Sequence, residues 1–252
     1  MHRAFLSLIV LLAGTGAATA APTLAWQTVE TRPHDAAAFT EGLVAHSGVL
    51  LESTGLEGAS SVRRVRAKTG AVLRRAANPP GVFGEGLTVL GGTAWQLTWR
   101  DRRIYGYDPR TLTRRFTRPY PLEGWGLTTD GASLIASDGT PALRWMSPRT
   151  LRVSRTVVVA DGGNPVSNLN ELEMIDGAIW ANVWPTNRIA IIDPADGHVR
   201  AWLDLTRLDP DVANPEVVLN GIAVDPVTRL PLVTGKHWPR MYVIRPEGQI
   251  PA

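Results

Sequence analysis

The segment Phe83-Gly84-Glu85-Gly86-Leu87, with Trp95-Gln96-Leu97-Thr98-Trp99 behind it, recurs 85 residues later with its polar residues changed, as Asn170-Glu171-Leu172 and Trp180-Ala181-Asn182-Val183-Trp184. Sliding the chain by that interval lays Leu87 on Leu172, Gly92 on Gly177, Trp95 on Trp180 and Trp99 on Trp184. Such a chain must stack like units, which excludes most folds built on one central core. Short alternating segments such as Arg103 to Tyr107, bounded by Gly, Pro and Asp, read as strands, and no long stretch carries a helical period. The class is all-β.

The repeat can be counted. One register falls at Gly42, Gly86, Gly126, Glu171 and Gly221, in steps of 44, 40, 45 and 50 residues. A turn marker follows each: Lys68-Thr69-Gly70, Asp108-Pro109, Ser147-Pro148, Asp193-Pro194 and Pro246-Glu247-Gly248. Periods near 40 to 50 residues holding about four strands each are those of propeller blades, so a five-bladed β-propeller is predicted. The fifth unit runs out of chain after its third strand. Leu24 to Val29 has strand character and no unit of its own, and is therefore expected to pair as the outer strand of the last blade, closing the ring and covering a sheet edge.

What precedes that strand is of another kind. His2-Arg3, an apolar run from Ala4 through Ala13 and an ending Ala18-Thr19-Ala20 have the charge, length and small-residue close of a signal peptide. Residues 1–20 are expected to be removed on secretion, to the periplasm in a Gram-negative cell, leaving residues 21–252 as a single propeller domain. No later stretch reaches the roughly 18 unbroken apolar residues of a membrane span, so no stable membrane insertion is expected. Cysteine is absent, which excludes disulfides and thiolate chemistry. Cationic residues are 24 Arg against two Lys, Lys68 and Lys236. The Arg clusters fall where outer strands are expected and lack interleaved aromatics, so they read as a solvated outer face and not as a nucleic-acid surface.

In a propeller the innermost strand of every blade meets the central channel, so one register projects toward one mouth. Here it reads Glu41, Glu85, Trp125, Asn170 and Asn220, and the next, past the second strand, reads Thr54-Gly55, Trp99, Ser137-Asp138, Trp184 and Lys236. Together they describe a pocket with carboxylates and amides at its floor and indole walls. Glu85, between two glycines, reads as a general acid/base whose pKa is raised by the indoles and by Glu41; the plainer alternative is a channel acid tied to backbone amides. Lys236 is the one lysine in the repeat core of a chain that otherwise uses arginine, which favours a site role for its compact ammonium. Trp95 and Trp180 suit inter-sheet packing, with Trp99 and Trp184 nearer the mouth. The histidines have no ligand spacing and no Gly-x-Ser-x-Gly elbow is present, which weighs against a zinc site and a serine hydrolase.

Phe39-Thr40-Glu41-Gly42-Leu43, Phe83 to Leu87, Gly124-Trp125-Gly126-Leu127, Asn170-Glu171-Leu172-Glu173, Ala181 to Trp184 and Thr234-Gly235-Lys236-His237-Trp238 together resemble the plant-type glutaminyl-peptide cyclotransferase family, across all five units. The resemblance implies conversion of N-terminal glutamine to pyroglutamate without a catalytic metal or other cofactor. It makes Glu85 the proton shuttle, Asn170 and Lys236 polar groups at the reacting carboxamide, and Phe39, Trp99, Trp125 and Trp184 pocket walls. Glu41 departs from it, since many members carry glutamine there; it either raises the Glu85 pKa or holds the substrate ammonium. The implied partners are peptides or proteins with N-terminal glutamine, met by a monomer. Two other classes fit the same polar ring: a calcium-dependent propeller lactonase, with Glu41, Glu85, Asn170 and Asn220 as oxygen ligands, and a non-catalytic peptide-binding propeller.

Overall fold

The computed structural model describes residues 19–214 and 216–251; the predicted signal peptide, up to residue 18, lies outside them. Five main sheets surround an axis, and a two-stranded pair, Ala160–Asp161 with Asn164–Pro165, lies beside them. Blade 1 comprises strands Thr40–His46, Val49–Thr54, Ser61–Val65 and Val72–Ala77; blade 2, Gly84–Leu90, Thr93–Thr98, Arg103–Tyr107 and Arg114–Pro119; blade 3, Leu127–Thr129, Leu134–Ala136, Ala142–Met146 and Val153–Val158. Blade 4 comprises Leu169–Ile175, Ala178–Val183, Arg188–Ile192 and Val199–Asp204, and blade 5 comprises Leu219–Val224, Pro231–Gly235 and Arg240–Pro246. Neighbouring first strands touch around the whole ring, blade 5 meeting blade 1. Among the described residues no helix is long and apolar enough to cross a membrane.

The missing fourth strand of blade 5 is Trp26–Pro33, antiparallel to Arg240–Pro246 from Trp26 opposite Pro246 to Pro33 opposite Arg240. The closure differs from the sequence expectation at one end. Thr23–Leu24 pairs instead with Trp202 and Leu203, parallel, as a fifth strand of blade 4. The N-terminal segment thus joins two blades, and a parallel edge pair leaves no periodicity signal of its own.

Apolar burial lies between blades, not at the axis. Val44, Leu51, Leu87 and Tyr105 fill the space between blades 1 and 2, Trp95 with Leu97, Ile104, Leu127 and Leu134 that between 2 and 3, and Trp180 with Ile191, Leu203, Ile222 and Trp26 that between 4 and 5. Trp95 and Trp180 take the inter-sheet role assigned to them. Part of the arginine excess has a second use beyond a solvated face. Arg64 Nη1 donates to the Pro109 carbonyl of the next blade's turn at 2.7 Å, Arg118 to Pro148 at 3.0 Å and Arg155 to Pro194 at 2.6 Å, so guanidinium groups connect blades 1 to 2, 2 to 3 and 3 to 4. A planar fork with several donors suits carbonyl-rich turns better than an ammonium does.

At the axis the inner strands are too close for side chains. A Cβ on Gly42 would sit 2.5 Å from the Leu87 nitrogen, and one on Gly126 would overlap the Asn170 carbonyl oxygen and lie 2.8 Å from Ser137 Oγ. Gly126→Ala is therefore expected to cost about 1–3 kcal/mol by overpacking, read as a Tm lower by roughly 2–12 °C in a chain of this size; an unchanged melt would show that blades 3 and 4 have room to separate.

Candidate functional site

In four blades the innermost strand carries a bulge, and at three of them a freed residue, Glu41, Glu85 or Asn170, lines the channel mouth. Pairing skips from Thr40 to Gly42, leaving out Glu41, from Gly84 to Leu87, leaving out Glu85 and Gly86, from Leu169 to Leu172, leaving out Asn170 and Glu171, and from Leu219 to Ile222, leaving out Asn220 and Gly221. A bulge frees a residue from its ladder and re-aims its side chain. The freed backbone groups bond across blades instead: Gly86 N–H donates to the Trp125 carbonyl at 2.6 Å, Gly221 N–H to Asn182 Oδ1 at 3.0 Å, and Ser137 Oγ–H to the Asn170 carbonyl at 2.7 Å.

A cavity of about 430 Å³ opens at this mouth. Eight residues singled out from the sequence line it, Phe39, Glu41, Glu85, Trp99, Trp125, Asn170, Trp184 and Lys236, whereas Asn220, expected in the same ring, does not and reaches the Thr40 carbonyl and Glu41 instead. Phe83, Leu56 and Glu216 line it too and were not foreseen as site residues. Phe83 stands inside the repeated motif and was the one with a readable signal; Leu56 lies in the loop between the second and third strands of blade 1, and Glu216 in the loop before blade 5. At the second register Trp99, Trp184 and Lys236 face the cavity, whereas Gly55 packs on Phe83, Asp138 pairs with Arg144 at 2.6 Å and Ser137 holds backbone.

The aromatic wall is braced edge to face. Phe83 stands against Phe39 at 6.0 Å and Trp99 at 5.6 Å, and Trp125 against Trp184 at 6.0 Å. Trp184 remains 37% exposed, as a side chain at the rim must. On the floor, the Lys236 ammonium donates to Glu41 Oε1 at 2.7 Å and sits 4.5 Å from the Phe39 ring centre. Asn220 Nδ2 donates to Glu41 Oε2 at 2.8 Å. Both Glu41 oxygens are therefore engaged, and its carboxylate serves the lysine. Burial pushes Glu41 up, against the pull of Lys236 and Asn220.

Glu85 is held well above the ordinary carboxylate range, first by burial and then by the Glu41 charge, with Lys236 pulling the other way and Glu123 adding to the rise. On two other residues lining the cavity, Asn170 Oδ1 and Trp125 Nε1, an acceptor and a donor, are buried without a partner among the described residues. Such atoms normally find partners. Together they match a ligand offering both N–H and C=O groups. Three potential metal ligands converge among the described residues at Asp193, Asp196 and His198 on a blade 4 turn, and none of them lines the cavity. A cation at the floor would meet the Lys236 ammonium already bonded to Glu41.

Comparison with known proteins bears on the same ring. The model of a family described as glutamine cyclotransferase matches residues 3–245. A glutaminyl-peptide cyclotransferase of Arabidopsis thaliana is 43% identical over 223 residues, covering 84% of this chain and 68% of that protein. The crystal structure of Myxococcus xanthus glutaminyl cyclase aligns with a TM-score of 0.83 at 35% identity, covering 90% of this chain and 98% of the other.

Proposed function

Because the chain belongs to the glutamine cyclotransferase family and is an enzyme of that class, we propose that it closes the N-terminal glutamine of peptides and proteins into pyroglutamate with loss of ammonia, Glu85 carrying the proton. The observation that supports this most is the pairing of a raised, buried Glu85 with the unpartnered Asn170 Oδ1 and Trp125 Nε1 in one aromatic cavity.

The α-ammonium of a peptide has a pKa near 8, so a carboxylate of ordinary strength would draw its proton poorly. A carboxylate raised toward that value accepts it at little cost. The neutral nitrogen attacks the γ-carboxamide carbon, the new N–C bond closes the ring and the old C–NH2 bond breaks. Glu85 passes the proton to the leaving nitrogen, which departs as ammonia, then takes the second proton that the ring nitrogen sheds as the lactam forms and releases it to the ammonia or to water, so that the carboxylate ends as it began. Charge building on the carboxamide oxygen meets donors in the Trp125 indole N–H and the Lys236 ammonium. Asn170 Oδ1 accepts from the substrate nitrogen. The aromatic walls fold the flexible glutamine toward its ring shape, an orientation effect worth several kcal/mol. With both its oxygens engaged, Glu41 holds Lys236 in place and raises Glu85, in preference to binding the substrate ammonium. The basic apolar N-terminus supports export to the periplasm as the setting.

Incubation with a Gln-initiated dipeptide should release ammonia at a rate indifferent to a metal chelator. Loss of activity on chelation would favour a calcium-dependent lactonase-like site, and binding without ammonia would leave a peptide-binding propeller.

A further inference from the structure

The register that carries Gly42, Gly86, Gly126 and Gly221 in four blades carries Glu171 in blade 4. Where a Cβ at most of these glycines would strike backbone, blade 4 sends an acid into the channel, and its side chain is fully buried. Glu171 Oε1 accepts from the Leu43 N–H of blade 1 at 3.2 Å, and Oε2 from the Ile222 N–H of blade 5 at 2.8 Å. Leu43 and Ile222 each lie two residues past a floor residue, Glu41 and Asn220, and Glu171 itself follows Asn170. One carboxylate thus ties together the three bulged strands that carry Glu41, Asn170 and Asn220.

We propose that Glu171 is a positioning residue of the cyclisation: it sets the separation of the blade 1 and blade 5 strands at which Asn220 reaches Glu41 and Glu41 orients Lys236. The proposal rests on the functional reading above. It assigns a task to an acid that does not line the site cavity and that packing alone does not require, since glycine occupies the same register in the other blades.

Glu171→Gln keeps the volume but turns an amide NH2 toward one of the two backbone N–H groups, so either Leu43 or Ile222 loses its acceptor. With a Gln-initiated dipeptide, kcat per folded molecule is expected to fall about tenfold or more while KM changes less than threefold. In the Asn220→Ala background, where the Asn220 bridge is already cut, the same change should cost under threefold, because residues acting through one contact are not additive. Glu171→Asp, which is too short to span both strands, should lose activity likewise and serves if the Gln variant fails to fold. A folded Gln or Asp variant with wild-type kcat, or full multiplicative losses in the double variant, would overturn the proposal and show Glu171 to be a strut only. A wild-type chain that leaves the dipeptide intact would instead remove the functional reading and this inference with it.

Discussion

Glu85→Gln is expected to lower pyroglutamate formation by roughly a hundred- to ten-thousand-fold, the usual worth of a positioned proton carrier, while a Gln-initiated peptide still quenches the tryptophans of the cavity with near-native affinity. The amide keeps the size of the acid and cannot exchange a proton. In the wild type kcat/KM should rise with pH as Glu85 ionises, along a limb lying well above the ordinary carboxylate range. Glu41→Gln should move that limb to lower pH, since it removes a repelling charge and leaves the attraction of Lys236 unopposed. The sign for stability runs the other way. A buried acid with a raised pKa stabilises the fold fully below its unfolded pKa, and that contribution is lost as pH rises through the folded value. Glu85→Gln should therefore melt like the wild type in acid and outlast it in alkali. Unchanged turnover in this variant would remove Glu85 from the mechanism.

Removal of residues 21–30 is expected to unfold the propeller as a whole. The lost segment includes Trp26, 7% exposed, whose indole N–H donates to the Asp204 carbonyl at 2.7 Å with the Arg207 guanidinium 3.6 Å over its ring. It also includes Trp26 to Glu30 of the strand that pairs with Arg240–Pro246, without which Arg32, left in a three-residue stub, loses its setting. Arg32 reaches both oxygens of the buried Asp225, at 2.6 and 3.0 Å. Trp26→Ala alone should cost about 3–5 kcal/mol through its cavity, and an orphaned Asp225 about as much again through an unpaired buried charge. Their sum is comparable to the 5–15 kcal/mol that holds a typical domain together. Far-UV circular dichroism of the truncated chain checks this; a cooperative melt near the native Tm would show that four and three-quarter blades suffice.

The sequence carried the architecture well because a propeller repeats its own information. Gly42, Gly86 and Gly126 mark the places where backbones approach, and each recurrence strengthens the others. The residues of the cavity were legible for the same reason: Glu85 and Asn170 share one register, and Trp99, Trp184 and Lys236 the next, in units that the period aligns. Less legible was whatever depends on pairing between units. The bulges at Glu41 and Asn170 leave the alternation of their strands almost undisturbed, since the skipped pair shows only in the partner strand. Glu171 looked like a substitution in a glycine register, and its bonds to Leu43 and Ile222 span 128 and 51 residues of sequence. Leu24 was assigned to the wrong sheet because two extended residues fit any free edge. The arginines looked like solvated charge, and only the folded ring shows that Arg64, Arg118 and Arg155 end on a neighbour's carbonyl.

Because Glu41, Glu85, Asn170 and Asn220 stand at interruptions of their ladders, the sheets do not rely on what these positions are. Reactivity and scaffold are separately adjustable in such an arrangement: a new side chain at the hub changes what the wheel does to a guest molecule while the spokes keep every rung. A substitution two places further along, at Leu43 or Leu87, would have no such freedom.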